Sequence, residues 1–469
     1  MSLARFLFGQ GKRLATLQPI PPGPRGLPLL GNTLQYTRDP LGFLTRCARE
    51  YGDVVRLTGP GRVFHLVSRP DLIEQVLRGD HRHFVKWELL RATSRVFGSG
   101  LLTSEGDLWK RQRRLANPSF SRQQVLTYAD GMVDAAVRLT DTWRDGETRV
   151  VSDDMVRLTL AVVARALFGV DVGADRGTGE VLGAVLDYYG DPLNSLVLPA
   201  WLPTPAARRF RRAVQALDQF IGGLIEARRA RAEEGGDLLS RLLAARDDDG
   251  TGMTDRQLRD ELVTMAFAGH KTSAAALSYC LYLLAQDPKA DARLAEELDA
   301  VLGGRPPTAD DLPRLTYAEW VVKEALRLYP PSWGIGREAL TDGELGGYFL
   351  PKGTQVLLPQ YVVHRDPRWF AEPERFRPER WADDAEKRLP RCAYFPFGDG
   401  PRGCIGSHFA MTEVVLILAT LAQRFRWTPV PGRRVRLVPS ITLWPKPGLA
   451  MVLRRRDGAL RPTGADRKG

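Results

Sequence analysis

Phe397-Gly398-Asp399-Gly400-Pro401-Arg402-Gly403-Cys404-Ile405-Gly406 is a ten-residue stretch with four glycines and one cysteine. Glycine has no Cβ, so positions 398, 400, 403 and 406 permit positive φ and let the backbone come close to a flat partner. The apolar, helix-periodic run from Glu413 to Phe425 follows. A helix beginning near Cys404 would turn the positive end of its dipole toward the sulfur and favour the thiolate. Arg402 supplies a guanidinium for an anionic group, and Phe397 a ring to cover a flat one. A lone cysteine is often an inert, buried small residue. Here ten residues serve a single task, a thiolate ligand to haem iron with Arg402 reaching a haem propionate.

Five further features carry chemistry. Leu262 to Leu284 is a long apolar run containing Ala268-Gly269-His270-Lys271-Thr272-Ser273. Its small residues leave space beside the helix, and Thr272 offers a hydroxyl that can hydrogen-bond a ligand and order water. An A-G-x-x-T segment also occurs at plain helix-packing contacts. Glu324-Ala325-Leu326-Arg327 lies on a helix over Thr316 to Tyr329 that Pro330-Pro331 ends, and i, i+3 spacing puts both charges on one face. Trp109 and Arg113 share a face at i, i+4, placing an indole and a guanidinium side by side; the plainer role for Trp109 is a core aromatic. Pro373-Glu374-Arg375-Phe376, and Arg337 ten residues before Gly347, complete the set.

The cysteine stretch fills every specified position of F-x-x-G-x-R-x-C-x-G, and with the other segments in order it resembles the cytochromes P450. The likeness runs over about residues 19 to 455. It implies a mainly α fold with small flanking β-sheets (α+β), a triangular helical body, and one domain over 19–455. A leader over 1–18 and a basic tail over 456–469 flank it. It further implies haem b with Cys404 as the axial ligand, and Arg402, Phe397, Gly398, Gly406, Trp109, Arg113 and Arg337 around the cofactor. Glu324, Arg327 and Arg375 become a structural triad. Ala268, Gly269, Lys271 and Thr272 become the oxygen-activating segment. The reaction implied is insertion of one atom of O2 into a C–H bond.

Lys271 departs from the family pattern, which has Asp or Glu there. A carboxylate with a pKa of about 4 can relay protons, whereas lysine near 10.4 is poorly matched to that duty unless burial lowers it. The departure gives some weight to an alternative, a haem-thiolate isomerase, dehydratase or peroxygenase that needs no such relay; Thr272 argues against it. His270 is expected to be a packing or surface residue.

The resemblance places substrate-facing positions at Trp87, Leu90, Phe97, Leu101, Phe267, Trp333, Ile335 and Leu443. They are apolar, so a hydrophobic substrate is expected: terpenoid, carotenoid or long-chain lipid, in that order. No flavin or iron–sulfur motif is present, so electrons are expected from a separate ferredoxin or flavodoxin with its reductase. Arg111, Arg114 and Arg402 are candidates for docking an acidic partner.

The whole composition accommodates this reading. The chain has 469 residues, 43% of them hydrophobic, enough for a large core. Its net charge of +12 includes arginine runs such as Arg208 to Arg212 and Arg228 to Arg231. Such charge suits a solvated surface, an acidic partner, a membrane surface or nucleic acid. No aromatic-interleaved basic module or reader motif supports the last. Cys47, Cys280, Cys392 and Cys404 are widely spaced, which fits neither a disulfide framework nor a zinc ribbon. The apolar stretch Leu3 to Phe8 is too short to span a bilayer. A soluble, cytoplasmic monomer without a transmembrane anchor is expected.

Overall fold

The computed structural model describes residues 19–170, 205–231 and 236–456. The leader and the tail beyond residue 456 lie outside them. Two compact units divide the chain, each assembled from separated segments: 1–93, 332–375 and 384–404 in one, and 94–331, 376–383 and 405–469 in the other. Elements are numbered below in chain order over both.

The first unit opens with helix α1 (Pro40–Tyr51). Asp39 accepts the Gly42 N–H at 3.1 Å, Pro40 occupies the first turn where no N–H is missed, and Gly52 ends the helix. Its sheet runs β1-β2-β8-β5-β3, formed by Val54–Gly59, Arg62–Val67, Gln355–Leu358, Ile335–Ala339 and Phe84–Lys86. β1 and β2 form an antiparallel hairpin, with Gly61 at φ 66° in the turn. β2 pairs in parallel with β8, and β5 lies antiparallel between β8 and β3. A small ribbon, β6 (Gly343–Leu345) and β7 (Tyr348–Leu350), turns at Gly346 and Gly347, both at positive φ as a tight hairpin requires. Val67, Ile73, Val76, Leu77, Val356 and Phe395 fill the core.

Helices dominate the second unit: α2 (Gly106–Ala116), α3 (Ala129–Asp141), α4 (Val151–Phe168), α5 (Pro205–Arg231), α6 (Asp255–Leu284), α7 (Thr316–Leu328) and α8 (Ser407–Arg424). A capping box of Thr254 and Gln257 starts α6. Its second half, from Ser273 through Leu281, is buried on every side, the pattern of a helix with neighbours all round. α4 packs along it, and the Thr159 hydroxyl donates to the His270 carbonyl at 2.9 Å. Two small sheets belong to this unit: β4 (Thr148–Val150), β12 (Ala450–Arg455) and β9 (Phe425–Pro429) in one, β10 (Arg436–Pro439) and β11 (Leu443–Lys446) in the other. The expected mainly α architecture with small sheets is thus observed. Strands β3 and β4 lie among helices, each held by a partner far along the chain.

Candidate functional site

Cys404 is exposed, whereas Cys47, Cys280 and Cys392 are buried. Burial pushes the Cys47 thiol up to about 11 and raises the other two further, which leaves Cys404 as the accessible thiol. The loop closes on a hydrogen bond from the Cys404 N–H to the Phe397 carbonyl at 2.8 Å. Gly398 and Gly400 both stand at φ 71°, and a Cβ on Gly400 would lie 2.0 Å from the Leu77 carbonyl oxygen. Gly400→Ala should therefore lose about 1–3 kcal/mol from backbone conformation alone, with the clash added. A lower denaturation midpoint and a lower haem-to-protein ratio would show it; an unchanged midpoint would contradict the contact. Asp399 secures the loop's base, accepting from Arg78 Nε at 2.9 Å and from the Gly400 N–H at 2.6 Å. Ahead of the loop, the Phe395 N–H donates to His364 Nε2 at 3.0 Å.

Arg402 donates through Nη1 to the carbonyls of His81 (3.1 Å) and Phe84 (3.0 Å), so β3 fixes one end of its guanidinium. Two residues on from Phe84 in that strand is Lys86, paired directly opposite Arg337 of β5. Both cations are buried, at 6% and 7% exposure. Like charges facing each other across strands are unfavourable, and an anionic group such as a carboxylate stabilises such a pair. Lys86 was not picked out from sequence. Its only signal is its register opposite Arg337, which becomes visible once the strands are paired. Ile335 reaches the same loop: a Cβ on Gly398 would lie 3.3 Å from Ile335 Cδ1. The Trp87 ring lies against Gly336, where a Cβ would fall 2.1 Å from it. Trp333 is buried, and Leu90 is half-buried.

In the second unit, Trp109 and Arg113 are half-buried on α2, with Trp109 packed against the apolar core. Along α6, Ala268 is exposed and Gly269, Lys271 and Thr272 are half-buried, within a helix otherwise buried on both sides of this stretch. Gly269 also serves packing, since a Cβ there would lie 3.1 Å from Val163 Cγ2. The Thr272 hydroxyl donates to the Ala268 carbonyl one turn back, at 2.5 Å. His270 is buried with Nδ1 2.8 Å from the Ala266 carbonyl oxygen, and burial lowers it to about 4, so it is a neutral packing residue as expected. Lys271 Nζ lies 5.3 Å from the centroid of the Trp444 ring.

Next to Thr272, the Ser273 hydroxyl donates to Glu413 Oε2 on α8 at 2.5 Å, while Glu413 Oε1 has no hydrogen-bond partner among the described residues. Burial raises Glu413 from 4.5 to about 8. The folded protein thus holds a proton that the unfolded chain releases above about 4.5. This stabilisation is full below about 4.5 and is lost as pH rises through about 8. Glu413→Gln should remove about 3–5 kcal/mol of pH dependence across that window. Melting temperatures taken from pH 5 to pH 8.5 would then converge on a flatter line for the variant; parallel lines would refute it.

The helix α7 pair is fully buried. Glu324 accepts from Arg327 Nε and Nη2 (2.9 Å each), the Arg377 N–H (3.0 Å), Arg380 Nε (2.9 Å) and Trp381 Nε1 (3.0 Å). The third member of the triad is therefore Arg380, and the assignment of Arg375 is corrected. The Arg375 side chain is 66% exposed and pairs with Glu372 at 3.1 Å, whereas Arg380 is 6% exposed. Pro378-Glu379-Arg380-Trp381 repeats the Pro-Glu-Arg-aromatic pattern five residues later, and burial selects the second copy.

Phe97 and Phe267 meet edge to face with centroids 4.6 Å apart, and Leu101 joins their cluster. The segment bearing Phe97 and Leu101 is tied to α6: Asp260 accepts the Ser99 N–H at 2.8 Å and Glu261 the Leu101 N–H at 3.1 Å. Leu443 is fully buried, its N–H donating to the Pro331 carbonyl at 2.9 Å. Arg111 and Arg114 both bind Asp247, and Arg111 also donates to Thr251 and Gly252. These two cations are engaged by the 247–252 loop.

Within the first unit the residues fit a haem: the one exposed thiol sits in a glycine-turned loop, and a pair of buried cations stands two residues from the Arg402 anchor. Within the second, small or hydroxyl side chains line an accessible stretch of α6. Comparison with known proteins agrees. The family model for cytochrome P450 matches residues 21–452. Cyclooctatin synthase of Streptomyces melanosporofaciens is 39% identical over 427 residues, covering 90% of this chain and 92% of that protein. Cyclooctat-9-en-7-ol 5-monooxygenase of the same organism is 39% identical over 414 residues, 87% of this chain and 90% of that protein. The solved structure of retinoic acid-bound cyanobacterial CYP120A1 superposes with a TM-score of 0.85 at 29% identity, covering 94% of this chain and all of that one. Among the described residues no helix is long and apolar enough to cross a membrane.

Proposed function

This chain belongs to the cytochrome P450 family, and from that membership we propose that it is a monooxygenase hydroxylating a terpenoid, with Cys404 as the haem ligand. The family implies haem with a cysteine thiolate, O2, a hydrophobic substrate and a redox partner. The exposed Cys404 in its glycine-turned loop carries the reading. When bound through thiolate, haem supplies O–O cleavage and oxygen insertion. Arg402, Arg337 and Lys86 would hold one acidic edge of it, and Trp109 with Arg113 would do the same from α2. Phe397 would cover its ligand side.

Thr272 is the hydroxyl for proton delivery. Its bond to the Ala268 carbonyl orients the oxygen and leaves its lone pairs to accept from water. Phe97, Leu101 and Phe267 give an apolar, water-excluding wall, which suits a hydrocarbon substrate. Terpenoid stands ahead of carotenoid and long-chain lipid. One relative is named for oxygenating cyclooctat-9-en-7-ol, and the structural neighbour holds retinoic acid, an isoprenoid acid. Electrons come from a separate ferredoxin or flavodoxin, and an acidic one suits the charge of +12.

Titrating the purified holoenzyme with cyclic terpene alcohols, retinoic acid and long-chain fatty acids tests the substrate class. Spin-state shifts at micromolar terpenoid with weaker response to fatty acids are expected. Saturable shifts with fatty acids alone would reverse the order. Product formation that needs both O2 and a reductase would separate monooxygenation from peroxide-driven or isomerase chemistry.

A further inference from the structure

At the position where the family carries an acid, this chain places a lysine, and the structure gives that lysine a partner. Lys271 Nζ lies 5.3 Å from the Trp444 ring centroid, and both side chains are half-buried. A ring face attracts an ammonium through its quadrupole, the more so where part of the cation's water has been removed. A neutral amine gains nothing comparable.

Trp444 is held in place independently. It sits on β11 opposite Val438 of β10. The preceding residue, Leu443, is fixed twice: its N–H donates to the Pro331 carbonyl at 2.9 Å, and its carbonyl accepts the Tyr279 hydroxyl at 3.2 Å. Tyr279 and Lys271 are both on α6, about two turns apart. One helix therefore grips this hairpin at two points, by a hydroxyl on the backbone and by an ammonium on a ring. Between β10 and β11 lies the 440–442 turn, with Ile441 exposed at its tip.

We propose that Lys271 is a positioning residue, clamping the β10–β11 hairpin to α6 through Trp444 and so fixing the turn that orients the substrate. The inference rests on the reading of Leu443, which directly follows that turn, as substrate-facing. It assigns the departure from the family pattern to substrate fit rather than to proton delivery. Arginine can keep such a contact, since a guanidinium also binds ring faces; methionine keeps length without charge.

The test has a structural and a functional reading. In holoenzyme labelled with 5-fluorotryptophan, the Trp444 resonance is assigned by its loss in Trp444→Phe. Lys271→Met should shift that resonance and Lys271→Arg should leave it close to its original position. With cyclooctat-9-en-7-ol as probe, Lys271→Met and Trp444→Leu should each weaken binding about three- to tenfold and broaden the product distribution. The double variant should be no worse than either, as expected for residues acting as one unit. Additive losses would overturn the clamp. So would a Lys271→Met enzyme that leaks more peroxide while keeping its affinity, its products and its Trp444 resonance. If the wild type ignores the probe, the substrate reading fails, and the fluorine signal still decides the clamp.

Discussion

Glu324→Ala should not yield a stable holoenzyme. The two oxygens of Glu324 receive five N–H donors, and the carboxylate and the Arg327 side chain are both fully buried. Removing the acid strands two guanidiniums, Arg327 and Arg380, in an interior with little water. Breaking a buried pair in this way costs about 3–5 kcal/mol. A second donor array, the Arg377 N–H and the Trp381 indole, loses its acceptor as well. Against a typical total stability of about 5–15 kcal/mol, this is a large share. Arg380→Ala should be nearly as damaging, while Arg375→Ala should stay within about 1 kcal/mol of the wild type, as an exposed ion pair does. Urea midpoints with haem content read in parallel would decide. Equal damage from the two arginine variants would mean that Arg380 does not complete the triad.

Cys404→Ala should have the opposite character, a folded protein with its chemistry gone. Cys404 is exposed and supports no core packing, so stability should change little. Its replacement removes the only accessible thiol, and burial disfavours the thiolate at the other three. The reduced, CO-treated variant should lack the red-shifted Soret band of thiolate ligation. Turnover with O2 and reductase should fall by more than about 10³-fold, the scale of losing a group on which the whole reaction depends. Retention of the red-shifted band would remove Cys404 from the centre of the site.

Much of this could be read from the chain alone because it is locally encoded. The cysteine loop depends on glycines at fixed offsets. The α6 segment and the Trp109–Arg113 pair depend on helical spacing. The mainly α fold follows from long periodic runs. What could not be read is decided by partners distant in sequence. Two Pro-Glu-Arg segments stand five residues apart with the same local pattern, and only the burial of Arg380 against Glu324 separates them. Lys86 gains meaning from its register opposite Arg337. Glu413 looks like one more helical glutamate until its helix packs on α6 and leaves it beside Ser273. Strands of three residues, β3 and β4, carry too few positions for an alternation to show.

The segmented build of the first unit also bears on how the protein is made. β2 ends up beside β8, pairing His65 with Val356, so about 290 residues of contour must be closed before that parallel ladder can form, a long-range contact of the slow kind. At about 5–20 residues per second, residues emerging by position 93 wait roughly 15–60 s for the 332–404 segments that complete their sheet and core. During that interval Val67, Ile73 and Val76 lack the cover that Val356, Leu358 and Phe395 later give them, and the cysteine loop, the last part of the unit to appear, closes it. Maturation of this oxygenase should therefore depend on ribosome-proximal holding factors, and a fragment truncated before residue 332 should emerge as an aggregation-prone chain.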